Sequence, residues 1–280
     1  MQALAVLDLR YNMLSGKVPA ILGNLTYTEK LYLHGNKLNG SIPAELGNMT
    51  KLHYLELNDN LLTGHIPPEL GKLTLFDLNV ANNHLEGSIP DNLSSCTNLN
   101  SLNVHGNKLN GSVPLAFQKL ESMTYLNLTS NNLRRPIPIE LTRIGNLDTL
   151  DLSNNRLSGY MPSSLGDLEH LLKLDLSNNH LSGPIPPELG QLQNVFRLWK
   201  TTIYPVMSCR SPIVKSHSSD LRNAGARVVA ACFNVDSVSE LQMFAYGFGT
   251  HRLKAQFTEY MQKNIALYQF FFKFRSMSTV

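Results

Sequence analysis

Along the first two thirds of the chain, leucines recur with a fixed spacing, and each group of leucines is followed by an asparagine. The stretch LDTLDLSNNRLSGYMPSSLGDL, residues 147–168, shows the order most cleanly. Its asparagine recurs at spacings of 24, 24, 23, 24, 24, 24 and 24 residues, at Asn12, Asn36, Asn60, Asn83, Asn107, Asn131, Asn155 and Asn179. A fixed period of this length predicts a solenoid in which successive coils stack on one another.

Within one unit, the apolar residues assign each segment to a structure. Leu150 and Leu152 alternate with polar residues, which predicts a short strand with its leucines inward and the intervening side chains in water. Gly159 and Pro162 then turn the chain away. Asn155 and its seven equivalents are expected to form a structural ladder, because an amide at this place can bond backbone groups of its own turn and of the neighbouring coil.

This pattern resembles the plant-specific Leu-x-Gly-x-Ile-Pro form of the leucine-rich repeat. The resemblance implies an α/β-type solenoid, a curved repeat array with a parallel sheet on its concave face. We predict that residues 1–198 form eight uncapped repeats and the start of a ninth. The single short spacing places a one-residue deletion in the surface turn around Thr74.

Composition separates residues 199–280 from the repeats. Up to residue 198 there are 14 Lys and Arg against 17 Asp and Glu, whereas the remainder has 10 against 4. This basic tail has no repeat and is expected to be weakly structured or partly helical. Its interleaved aromatic residues are compatible with an anionic membrane or nucleic acid. A misplaced exon boundary or a frame change explains the abrupt loss of pattern better, so we predict no nucleic-acid partner and no membrane span in this chain.

The sequence contains no recognisable motif for a catalytic site or a metal site. The histidines of the repeats lack Cys or His partners at ligand spacing, and Gly247-x-Gly249 lacks the other elements of a kinase loop. Cys96 fits a buried turn and needs no partner. We therefore predict no enzyme activity, no metal and no cofactor.

Aromatic side chains at positions that should face water indicate a binding surface. They fall in the second to fourth coils, together with charged neighbours and one later tyrosine. The candidate peptide- or protein-binding residues are Tyr32, His34, His53, Tyr54, Glu56, Phe76, Asp77, Asn79 and Tyr125. The alternative is that neighbouring rings merely stack along the sheet. Asp148, Asp151 and Asp175 add negative charge in the later coils, which would steer a basic partner or simply be solvated.

Six Asn-x-Ser/Thr sequons occur in the repeats. Five fall in turns or on the convex side, where we predict glycosylation if the protein is secreted: Asn24, Asn39, Asn48, Asn92 and Asn110. The sixth, Asn127, is expected to point into the concave face, where a sugar would block the groove.

Two longer phrases carry a more specific resemblance: YLHGNKLNGSIPAELGNMTKLHYLELNDN, residues 32–60, and LSSCTNLNSLNVHGNK, residues 93–108. They are similar to the ectodomain of the ERECTA family of plant leucine-rich repeat receptor-like serine/threonine kinases. The resemblance implies a plasma-membrane receptor whose extracellular repeats bind secreted cysteine-rich peptides of the epidermal patterning factor type. It also implies co-receptor leucine-rich repeat proteins and roles in stomatal patterning and organ growth.

The family's signal peptide, caps, membrane helix and kinase domain have no counterpart in this sequence, and one family repeat is skipped around His170 to Leu174. We therefore interpret the chain as a fragment of such an ectodomain. A soluble repeat protein that acts as an inhibitor or interaction scaffold is the alternative. A gene product without any partner is a third possibility.

Overall fold

A computed structural model describes residues 4–192 and the backbone of residues 197–199 of the 280-residue chain. The predicted basic tail, residues 199–280, lies outside the described residues except for the backbone of Trp199. We number the coils 1 to 8 by the ladder asparagine that each contains, from Asn12 to Asn179.

Each coil contributes a strand before its asparagine, a second short strand after it and a 3₁₀ helix. The strands before the asparagines are β1 (Val6–Asp8), β3 (Lys30–Tyr32), β5 (Tyr54–Glu56), β7 (Asp77–Asn79), β9 (Ser101–Asn103), β11 (Tyr125–Asn127), β13 (Thr149–Asp151), β15 (Lys173–Asp175) and β17 (Arg197–Trp199). The second strands are β2 (Ser15–Lys17), β4 (Lys37–Gly40), β6 (Leu61–Gly64), β8 (His84–Ser88), β10 (Lys108–Asn110), β12 (Arg134–Arg135), β14 (Arg156–Tyr160) and β16 (His180–Ser182). The 3₁₀ helices are η1 (Ala20–Asn24), η2 (Ala44–Asn48), η3 (Pro68–Lys72), η4 (Asp91–Ser95), η5 (Leu115–Lys119), η6 (Ile139–Arg143), η7 (Ser163–Asp167) and η8 (Pro187–Gln191).

The strands before the asparagines form one nine-stranded parallel sheet in chain order, from β1 to β17. Equivalent residues face each other in register, as Lys30 faces Tyr54 and Tyr54 faces Asp77. The central leucine of each strand from β3 to β13 has no exposed surface. This arrangement confirms the predicted repeat solenoid with its parallel sheet. One side of this sheet carries the buried leucines, and we call the other, solvent-facing side the inner face.

The second strands form a separate layer that the sequence pattern did not predict. It consists of a five-stranded sheet from β2 to β10 and a three-stranded sheet from β12 to β16. In seven coils its turn uses a glycine with φ between +73° and +83°: Gly16, Gly40, Gly64, Gly87, Gly111, Gly159 and Gly183. The sixth coil has Arg135 there instead, at φ +76°. Left-handed backbone costs an L-residue roughly 1–2 kcal/mol, so this arginine is held against its preference.

The third coil is the one shortened by a residue. Leu73, the residue that follows η3, has ψ 160°, whereas the equivalent Leu25 and Met49 have ψ 62° and 71°. The chain therefore leaves this turn extended, at the place where the spacing predicts the deletion.

The ladder asparagines lie where the turns of neighbouring coils meet. The side-chain amide of Asn83 donates to the carbonyls of Val80 and Ala81 in its own turn, at 3.2 and 3.1 Å, and of Leu57 in the preceding coil, at 3.0 Å. Its Oδ1 accepts the Leu62 N–H at 2.9 Å. Asn36, Asn60, Asn107, Asn131, Asn155 and Asn179 repeat this set, whereas among the described residues Asn12 bonds within its own turn only.

Candidate binding face

The first and third residues of the middle inner strands point outward and remain partly exposed, while the leucine between them is buried. This pattern places Tyr32 on β3, Tyr54 and Glu56 on β5, and Asp77 and Asn79 on β7. Tyr125 has the same partly exposed position on β11, two coils away from β7. We define the aromatic patch as Tyr32, His53, Tyr54 and Phe76.

Rings of the aromatic patch contact one another across coils 3 and 4. The His53 and Phe76 rings stack at a centroid distance of 4.7 Å and an angle of 21°. Phe76 also meets the edge of Tyr54 at 6.0 Å and 72°. Ring stacking along the sheet therefore occurs, yet Phe76 keeps 36% of its surface exposed. The patch is thus packed and accessible at once.

Two basic side chains cover rings of the patch, a feature that the sequence reasoning missed. The Arg10 guanidinium lies 5.4 Å from the Tyr32 ring centroid, and the Lys30 ammonium lies 4.9 Å from that of Tyr54. Each basic residue is one coil earlier than its ring, on or just after an inner strand. Aligning neighbouring coils would have revealed the Lys30–Tyr54 pair, which is in register, but not Arg10, because Tyr32 is in register with Asp8. Cations are held on ring faces by the ring quadrupole.

The deletion in coil 3 also positions His53. Its Nδ1 lies 2.9 Å from the Thr74 carbonyl oxygen, in the shortened turn after η3. The Thr74 hydroxyl is 3.3 Å from the same nitrogen. This contact fixes the ring that stacks on Phe76.

His34 does not lie on the exposed surface where the repeat position predicts it. The residue is only 4% exposed, because its ring packs against Tyr11 at 5.0 Å and Tyr32 at 6.2 Å. Its Nδ1 is 3.0 Å from a carboxylate oxygen of Glu56 but is not aligned for a hydrogen bond. The prediction that His34 is accessible is wrong. Its buried ring packs against Tyr32 and lies beside the Glu56 carboxylate.

Asp77 is the most perturbed acid of the face. Burial raises the pKa of its carboxyl to about 6, the nearby Glu56 carboxylate adds to this effect, and a hydrogen bond from Ser101 opposes it. Its Oδ1 is buried without a hydrogen-bond partner among the described residues. An acceptor in this state favours a ligand that brings a donor to it.

Asp151 and Asp175, predicted to be exposed, are 5% and 8% exposed. Asp151 Oδ1 accepts from the Ser153 hydroxyl at 2.7 Å and from the Thr129 hydroxyl, and Oδ2 pairs with Lys173 at 2.6 Å. Burial alone would raise the pKa of this carboxyl, but the bonds from Lys173, Thr129 and Ser153 together lower it.

The Asp-x-Ser spacing is the sequence signal for this network, because Asp175 bonds Ser177 in the same way. The repeat position alone predicts solvated or partner-steering charges for both aspartates, which is wrong because both are buried. Their negative charge is largely satisfied within the coils, so the predicted acidic cluster is reduced to Asp148.

The five sequons outside the inner face all have exposed asparagines, at Asn24, Asn39, Asn48, Asn92 and Asn110. Asn127 is half-buried on β11, and its amide donates to the Tyr125 hydroxyl at 3.2 Å. Among the described residues there is no group of three metal-ligating side chains. Nor does that part of the chain contain a helix of the length and apolarity that a bilayer requires.

Sequence profiles of known families match most of the chain. A profile described as Leucine rich repeat matches residues 74–133 and 142–198, and one described as Leucine Rich Repeat matches residues 3–25, 27–49 and 51–73. The chain belongs to the leucine-rich repeat family. No curated protein matches the sequence.

Solved structures of other leucine-rich repeat proteins resemble this one. The plant peptide hormone receptor RGFR1, in complex with RGF2, is 38% identical with a TM-score of 0.71, and the match covers 72% of this chain and 32% of that chain. The Arabidopsis receptor kinase HAESA, in complex with the peptide hormone IDA and the co-receptor SERK1, is 31% identical with a TM-score of 0.68, covering 72% and 35%.

A plant ice-binding protein is also similar, at 29% identity and a TM-score of 0.63, covering 72% of this chain and 66% of that protein. For the two receptor structures, RGFR1 and HAESA, the chain spans only about a third of their length.

Proposed function

We propose that the inner face binds a secreted peptide and that the chain is part of a plant receptor ectodomain. The observation that carries the proposal is the aromatic patch, which exposes packed rings on a sheet where small polar residues would suffice. Tyr and other aromatic anchors contribute much of the free energy at protein interfaces. The similarity to RGFR1 and HAESA, both solved with peptide hormones, supports this function.

The contact residues that we assign are Tyr32, His53, Tyr54, Glu56, Phe76, Asp77, Asn79 and Tyr125. His34 is a positioning residue in this proposal, because it is buried beneath Tyr32 and beside Glu56. Ordered rings reduce the side-chain entropy that binding must remove, so a pre-packed patch favours affinity.

We further propose that the peptide is cysteine-rich and of the epidermal patterning factor type. The phrases in residues 32–60 and 93–108, which resemble the ERECTA family, support this choice. The same resemblance supports an extracellular position at the plasma membrane, glycosylated repeats and a co-receptor leucine-rich repeat protein.

Isothermal titration calorimetry with a purified epidermal patterning factor-like peptide tests the proposal. We expect wild-type protein to bind, and the double change Tyr54→Ala with Phe76→Ala to weaken binding at least about tenfold, since each anchor contributes about 1–2 kcal/mol. Tyr160→Ala is the matched control, because Tyr160 is 72% exposed on the second strand layer. If the double variant and the control bind the peptide with equal affinity, the aromatic patch is not part of the interface.

A further inference from the structure

The second strand layer contains one backbone conformation that its side chain disfavours. Arg135 has φ +76°, in the turn where the other seven coils have glycine. Glycine would adopt this conformation without a steric penalty.

A second unfavourable feature lies beside the first. Arg134 on β12 faces Arg156 on β14 in register. Like charges directly opposite each other destabilise a strand pair. The preceding pair of charged residues in the same layer, Lys108 and Glu86, has opposite signs. Arg134, Arg135 and Arg156 are all exposed, and we call them the arginine patch.

The arginine patch takes no part in the ion pairs found between described side chains, Arg10–Asp8 and Lys173–Asp151. Strained backbone clusters at ligand-binding and switch sites, so the strained Arg135 beside a like-charge pair points to an external partner.

We propose that the arginine patch is a docking surface for an acidic segment of a partner protein. Guanidinium groups bind carboxylates through two parallel hydrogen bonds, so paired arginines fit two neighbouring acidic side chains. Membrane recognition by basic residues uses larger clusters, typically of about four to eight. The surface belongs to the second strand layer and is therefore separate from the inner face that we assign to the peptide.

Fluorescence anisotropy with a labelled hexaglutamate peptide tests this surface. The critical variant is Arg135→Gly, which restores the residue of the other seven coils. We expect it to bind hexaglutamate at least about fivefold more weakly than wild type, because one charge-assisted carboxylate contact is lost. Its Tm should rise by about 2–4 °C, because the backbone strain is relieved. The double change Arg134→Ser with Arg156→Ser should weaken binding further.

Lys37→Ser is the matched control, because it removes one positive charge from the same strand layer in coil 2 and should leave binding unchanged. All variants share the basic residues 199–280, so a difference between them reports on the arginine patch alone.

Three results would overturn the proposal. The first is equal hexaglutamate affinity in wild type, Arg135→Gly and the double variant, and the second is equal binding of hexaglutamine. The third is patch-dependent binding to phosphatidylserine vesicles without patch-dependent binding of hexaglutamate, which would make the surface a membrane contact.

Discussion

Asn83 shows how one side chain joins two coils. It is 4% exposed and makes four hydrogen bonds, two of them with the preceding coil through Leu57 and Leu62. These bonds satisfy backbone groups that the turn would otherwise bury without partners. The asparagine column is thus explained by stability, without any role in binding.

Replacing Asn83 with alanine should lower the free energy of unfolding by about 1–3 kcal/mol, since buried backbone groups lose their partners. Urea unfolding followed by circular dichroism measures the change. Asn12→Ala is the control, because Asn12 is exposed and bonds only within its own turn. Similar losses in the two variants would contradict the role of the bonds between coils.

Asp77→Asn should stabilise the protein in a pH-dependent manner. Well below the ordinary aspartate pKa of about 4 the carboxyl is protonated both folded and unfolded, and the variant should melt like the wild type. As the pH rises toward 6, the unfolded chain releases this proton before the folded one, because the folded pKa is raised to about 6. The wild type therefore loses stability over this window, by at most about 3 kcal/mol and by less where solvent screens the side chain.

Thermal melts of Asp77→Asn and wild type between pH 3.5 and about 7.5 test this linkage. The exposed Asp167→Asn shows the effect of removing one surface charge. A difference in Tm between Asp77→Asn and wild type that is constant across the range would rule out the raised pKa.

Sequence pattern predicted which residues face outward better than it predicted their contacts. Tyr32 and Tyr54 have the expected positions, because strand alternation alone decides them. Phe76 is exposed as expected, although it lies just before β7. His34 and Asp151 did not follow the pattern. Their burial depends on Tyr11 for the first and on Thr129 and Lys173 for the second, and these partners lie in neighbouring coils.

At the scale of elements, small residues in the 3₁₀ helices set how closely coils approach. A Cβ added at Gly71 in η3 would lie 2.2 Å from the Asn92 backbone oxygen in the next coil. Gly23, Gly47 and Gly166 have the same close contact with their following coils. Glycine is needed here for space and not for its backbone angles, since none of these four has a positive φ.

Gly71→Ala should destabilise the protein by about 1–3 kcal/mol, because the backbone of the next coil must move. Gly145→Ala is a matched control, since a Cβ there meets nothing within 4 Å. That substitution should be neutral or stabilising by up to about 1 kcal/mol. Differential scanning calorimetry compares the two variants, and equal Tm values would show that the coils adjust freely around η3 and η4.

The elements themselves were partly predictable. Paired leucines predicted the inner strands, and the proline of each coil predicted where a new turn begins. The second strand layer was missed because its residues show no apolar alternation. Its strands follow from the left-handed turn glycines, and that signal predicts a bend without indicating that neighbouring bends pair.

At the scale of the whole array, each described coil bonds mainly with the coils before and after it. Stability should then be close to a sum of coil and neighbour contributions. Removing residues 84–107, one complete unit, should leave a folded protein with a lower Tm. Lys108, which has the same repeat position as His84, would then follow Asn83, so the remaining coils keep their alignment. Removing only residues 84–95 should abolish cooperative unfolding, since the coils no longer align. Circular dichroism melts decide between these outcomes.

The fold of the repeats could be predicted from spacing alone, whereas the use of their surfaces could not. A 24-residue period fixes which residues stack, because every coil repeats the same geometry. The surfaces that we propose for binding depend on residues that the repeat does not fix: Phe76 on the inner face, and Arg135, which replaces the turn glycine of the second layer. Only the structure shows what surrounds them.

The rate at which Cys96 reacts with a thiol reagent would report how often neighbouring coils separate. Its thiol is 1% exposed and donates to the Leu70 carbonyl of the preceding coil at 3.4 Å, and burial raises its pKa despite an opposing backbone bond from Leu75. A thiol reagent reaches it only when coils 3 and 4 separate. With Cys209 and Cys232 changed to serine, the labelling rate of Cys96 would time that opening, and a bound peptide that spans the two coils should slow it.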